Sequence, residues 1–168
     1  MRPVVGVALE LFSLAVVLWA GSLIPATLYS AYVVLAQLLA TYLIHCPAHY
    51  GVGTIAGIRF RNIGFGRTTL ARALPERLGA LARLLPILTL STLKSSMATV
   101  SKSRISAMYL AGTVASSASA ILIAVSVSLS GSWVSSALSW AFAIGYLLFD
   151  IVFSPKSGDI MRARAALR

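Results

Sequence analysis

Acid is scarce in this chain: Glu10, Glu76, Asp150 and Asp159 are the only four acidic residues among 168. Charge of either sign is thin, at 11% of residues, against roughly 25% in soluble domains. A soluble fold this small has too little polar surface to cover what remains. One cysteine, Cys46, excludes an internal disulfide. What is present is apolar: 58% of residues are hydrophobic and the mean hydropathy is +0.89. The bilayer must therefore act as solvent for most of the chain. The length suits a single integral membrane domain, 1–168.

The net charge is +10, which on its own suggests nucleic acid, but the placement argues otherwise. Arg2 stands at the start, a basic segment runs from Arg59 to Arg104, and a basic tail runs from Lys156 to Arg168. The apolar segments between them hold no Lys or Arg. This is the spacing of topology signals rather than of a phosphate-tracking groove, and no nucleic-acid partner is expected.

Four segments are long enough to span, at about 3–24, 27–50, 105–129 and 132–153; each exceeds the roughly 20 residues that 30 Å of hydrocarbon requires. The first run is too long for a signal-peptide core and reads as a retained helix. Short uncharged turns around Pro25 and Gly131 make helices 1/2 and 3/4 hairpins. With four crossings, both termini, the segment 51–104 and the tail 154–168 share one side. The positive-inside rule makes that side the cytoplasm of a multi-pass cell-membrane protein. Trp19 and Trp133 fall at the opposite interface.

The class expected is therefore an all-α membrane protein with a short extended element and an interfacial helix between spans 2 and 3. Residues 51–66, GVGTIAGIRFRNIGFG, are punctuated by glycine and predict short strands with turns. Residues 68–93 predict an amphipathic interfacial helix broken at Pro75 and Pro86. The apolar stretch 84–100 is interrupted by Lys94 and is too short to cross comfortably; a fifth crossing would put charge on the wrong side.

The ionisable residues are unevenly placed. Glu10 lies inside the first span, His45 and His49 in the last turns of the second, Asp150 in the last turn of the fourth, and Asp159 nine residues later. All fall at similar depth toward the cytoplasmic side. An intramembrane carboxylate costs about 2.5–3.5 kcal/mol even on the mild insertion scale, which marks such residues as functional suspects; the competing reading is that they snorkel to the headgroups. His45 and His49, four apart, share one helix face at about 6 Å, a spacing from which two imidazoles grip one zinc ion. Pro47 between them removes a backbone hydrogen bond and is expected to disturb the helix.

The segment His45-Cys46-Pro47-Ala48-His49-Tyr50, followed by GVGTIAGIRFRNIGFG, resembles the site-2 protease family of intramembrane zinc metalloproteases. That family carries H-E-x-G-H on its second core helix and then a glycine-containing stretch of short strands. Ala111-Gly112-Thr113-Val114-Ala115-Ser116 is similar to the family's A-G-P-x-A-N/S segment. FDIVFSPKSGDIMRARA looks like its N-x-x-P-x-x-x-x-D-G-G-R segment, which supplies the third zinc ligand. The resemblance implies a zinc site at His45, His49 and Asp159, with Asp150 as the alternative acid; a repurposed metal site would add Cys46 as a ligand. It also implies a pocket for transmembrane segments of other proteins, besides the lipid bilayer itself.

The departures are specific. Cys46 stands where the family has its general-base glutamate, a gapless match puts Gly158 at the ligand aspartate with Asp159 one residue later, and Asp150 replaces the asparagine. Three readings follow. The chain is a catalytically impaired relative, a pseudoprotease, that binds membrane segments; or its metal site is repurposed; or it is an active protease in which Glu10 replaces the lost base, for which Glu10 must face helix 2. An alternative of another class is a small multi-pass protein with a structural role or one in metal or proton transport. Cys46 as a nucleophile lacks an orienting third group. The small residues of the third span read first as close helix packing and second as a substrate groove. The arginines of 59–83, with Arg162, Arg164 and Arg168, read as anchors to anionic headgroups.

Overall fold

The computed structural model describes residues 1–66, 87–130 and 132–168. Four apolar helices carry the fold. The first, α1 (Pro3–Ala20), opens on a proline at its first turn, where a missing N–H costs nothing. It ends in a 3-10 turn, Gly21–Leu23, and Pro25 forces extended backbone before α2 (Ala26–Ile55). Then come β1 (Phe60–Gly66), β2 (Ile87–Thr92) and the short α3 (Lys94–Met97). Helix α4 (Lys102–Ser128) and helix α5 (Trp133–Ser157) form the second hairpin, and α6 (Asp159–Leu167) closes the chain. The helices α1, α2, α4 and α5 are each long and apolar enough to cross a membrane. The chain is thus an all-α membrane protein with a small two-stranded sheet.

Three segments differ from the sequence expectation. Helix α2 runs to Ile55, straight through Pro47 and one turn past residue 50; Gly57, at φ 89°, then supplies the left-handed step that turns the chain into β1. Residues 87–92 are a strand, not the end of an interfacial helix. They pair antiparallel with β1, from Phe60↔Thr92 to Gly66↔Ile87, with an irregularity between Phe60 and Asn62. A short apolar run with β-branched residues satisfies a strand as well as a helix, and a partner strand decides it. The rest of the expected 68–93 helix lies outside the described residues. Third, 154–168 is not a bare tail: α5 continues through Pro155 to Ser157, and α6 packs back along α4.

Helix α2 sits at the centre, packed along α4 and also touching α1 and α5. Small buried residues make this possible: Ala36 and Ala40 on α2, then Gly112, Ser116, Ala120 and Ala124 at every fourth position of α4. They let the backbones approach closely. At mid-depth the fully buried Gln37 joins three helices. Its Nε2 donates to the carbonyls of Ala120 (2.7 Å) and Ser139 (3.1 Å), and its Oε1 accepts from Ser139 Oγ at 2.9 Å.

The two ends of the bundle are distinct. At one end, Ser30 meets Ser135 at 2.8 Å and the Tyr32 hydroxyl donates to the Val17 carbonyl. At the other, Ala56, Ile58 and Met108 form a small core with Phe60, Val100 and Ile105. There Met1 exchanges backbone hydrogen bonds with Ile63 in both directions, and Lys102 Nζ donates to the Arg168 carbonyl at 2.8 Å. The N-terminus, the strands, the start of α4 and the end of α6 therefore share one end, which also carries the described basic residues Arg2, Arg59, Arg61, Lys102 and Arg168.

Candidate metal centre

Helix α2 presents His45 and His49 one turn apart toward α4, and the two rings meet edge to face with centroids 4.7 Å apart. They fit there because Gly112 has no side chain: a Cβ on it would collide with both imidazoles. The third member comes from the helix break. Gly158 is extended (φ −109°, ψ −155°), and a side chain on it would strike Ser154. Ser154 Oγ accepts from the backbone N–H of Ile160 at 3.2 Å. This turn delivers Asp159, the first residue of α6, to the histidines.

The geometry is tight. Asp159 Oδ2 lies 3.0 Å from His45 Nε2 and 3.2 Å from His49 Nε2, and the two Nε2 atoms are 3.2 Å apart. These three side chains form a group able to hold a metal ion. Arg162 Nη1, on the next turn of α6, is 3.8 Å from the other oxygen of Asp159.

Hydrogen bonds on the far side of each ring fix the tautomers. His49 Nδ1 is 2.6 Å from the Met108 carbonyl oxygen, which only accepts, so Nδ1 carries the proton. Ser116 Oγ donates to the Thr41 carbonyl at 2.7 Å; it therefore accepts from His45 Nδ1 at 3.2 Å. In the neutral imidazoles both Nε2 atoms then keep lone pairs, which converge on a carboxylate oxygen. Three electron pairs about 3 Å apart repel unless a cation lies among them, and ligating histidines typically have this outer support.

The other sequence candidates fall in two places. Asp150, the alternative ligand, is not in the group; its Oδ2 accepts from Ser117 Oγ at 2.9 Å. Cys46 is buried at 4% exposure and is no member of the ligand group among the described residues. Residue 46 points about 100° around α2 from residue 45, toward α1. There its thiol meets Glu10. Gly6, Val7 and Glu10 are the buried residues of α1, one inward stripe on a helix otherwise turned outward. Glu10 thus faces α2, as the active-protease reading requires. It is 4% exposed, so it does not snorkel. Neither of its oxygens has a hydrogen-bonding N–H or O–H among the described residues.

Ser116, the Met108 carbonyl and Gly112 as the seat for the imidazoles were not assigned from sequence. The four-residue rhythm of small residues on α4 was the available signal, and it reads equally well as plain packing. No protein-family model, curated protein or solved structure matches this chain.

Proposed function

We propose that this chain is a site-2-protease-like integral membrane protein that holds one zinc ion at His45, His49 and Asp159. The supporting observation is the convergence of two Nε2 atoms and one carboxylate oxygen at 3.0–3.2 Å. Donors bonded tetrahedrally to zinc at about 2.0–2.2 Å stand about 3.3–3.5 Å apart, so a slight spreading of the three side chains admits the ion. Two nitrogens and one oxygen leave a fourth position open, the pattern of catalytic rather than structural zinc. When bound, zinc there acidifies water and polarises a carbonyl.

The chain's own residues set the rest. Met108 and Ser116 orient the imidazoles, Gly112 seats them, and the Gly158 turn brings the acid. The basic end faces the cytoplasm, with the arginines on anionic headgroups. On α2 itself the residue after His45 is a thiol, not a carboxylate, so this helix has no proton acceptor of the family's kind. What α2, α4 and α6 support together is a zinc-bearing pocket that binds transmembrane segments.

The test is metal analysis of detergent-purified protein. One zinc per chain is expected, lost on His45→Ala, His49→Ala or Asp159→Asn and kept on Asp150→Asn. Zinc-free wild-type protein that also fails to take up zinc on titration would overturn the reading.

A further inference from the structure

We infer that Glu10 is the proton-transfer residue of this centre, delivered from α1 to the position that α2 leaves to Cys46, and that the chain hydrolyses peptide bonds in membrane segments. The inference rests on the zinc reading above. It starts from a carboxyl group inside a membrane helix, 4% exposed, that has no N–H or O–H donor among the described residues and meets only the weak donor of the Cys46 thiol there. Such a group is costly where no water competes. A leucine at position 10 would serve packing better, so packing does not account for the acid.

Its location gives the role. Glu10 touches Cys46, the residue that follows His45 directly, and the thiol lies within electrostatic reach of both Glu10 and Asp159. The acid therefore stands beside the ligand helix, against the residue next to His45. Its chain position is new, while its place beside the first histidine is where a metal-centre base is needed. In the step proposed, a water in the pocket gives a proton to Glu10 as its oxygen bonds to the peptide carbonyl carbon. The carbon–nitrogen bond then breaks and Glu10 passes the proton to the departing amine. One water is consumed, a carboxylic acid and an amine form, and Glu10 returns to its starting state.

The experiment uses full-length protein in detergent and a synthetic single-span peptide with a Gly-Pro pair in its apolar stretch. Wild-type protein is expected to cut it, Glu10→Gln to lower the rate about 10²–10⁴-fold with zinc still at one per chain, and Glu10→Gln with Cys46→Glu to recover to within about tenfold of wild type. A second readout needs no turnover. Adding zinc to metal-free protein is expected to change the carboxyl stretch in the infrared difference spectrum of wild type, a change missing from Glu10→Gln. Equal cleavage by Glu10→Gln, identical difference spectra, or no cleavage by zinc-loaded wild type overturns the inference and leaves the zinc reading standing. Failure to bind zinc overturns both.

Discussion

His49 gives its Nδ1 proton to the backbone carbonyl of Met108 at 2.6 Å, across the interface between α2 and α4. A backbone acceptor cannot rotate away, so the direction of His49 Nε2 is set by how the two helices pack. His45 is held by a side chain instead, Ser116, itself anchored on Thr41. The two imidazoles thus differ in how easily they are disturbed.

Ser116→Ala removes the acceptor that holds His45 Nδ1 among the described residues. We expect zinc to bind about 10–100-fold more weakly, the usual effect of losing such outer support. Competition with a chromophoric chelator measures it, and helical content should be unchanged. Affinity equal to wild type would mean that His45 is held some other way.

Gly112→Ala places a methyl group against both imidazoles. Zinc affinity is expected to fall by about tenfold or more, since the rings must tilt off their outer partners. Ala120→Gly, two turns further along α4, should leave zinc unaffected. Retention of full affinity in Gly112→Ala would show that the rings have room that the packing denies them.

What the sequence made legible follows the same physics. Long uninterrupted apolar runs define the four spans because hydrocarbon leaves the backbone little alternative to a helix. The i, i+4 histidine spacing marks the ligand face of α2 for the same geometric reason that makes it visible on paper. Residues 87–92 misled because an isolated apolar run does not distinguish strand from helix until its partner, β1, is known. The choice between Asp150 and Asp159 was undecided because it turns on the break at Gly158. A one-residue shift there moves the acid by about 100° around a helix. Ser116 and the Met108 carbonyl were hidden because an acceptor across a helix interface exists only once the packing does.

Gln37→Leu is a test of the scaffold away from the metal. The change removes three hydrogen bonds among α2, α4 and α5. Buried polar contacts in membrane bundles contribute about 0.6–1.7 kcal/mol, so a loss of about 1 kcal/mol is expected in steric-trap or denaturant unfolding. Zinc content should stay at one per chain. A parallel loss of zinc would tie this polar clamp to the centre.

Cys46→Ser separates a ligand from a neighbour. The thiol lies outside the three-residue group, so the variant is expected to bind zinc within about threefold of wild type, less than the loss of even an outer-shell partner. Buried as it is, Cys46 should also react slowly with a maleimide until the protein is unfolded. A large drop in affinity for the serine variant would make sulfur a donor.

The interruption at Gly158 has a mechanical consequence. Two of the donors ride on a helix locked into the bundle, while the third rides on a separate segment of nine residues, Asp159–Leu167, whose far end is tethered by Lys102 to Arg168. For an ion held there, the number of donors would therefore be governed by the seating of that short segment. A force that pries it from α4 would drop the group from three donors to two without moving either imidazole.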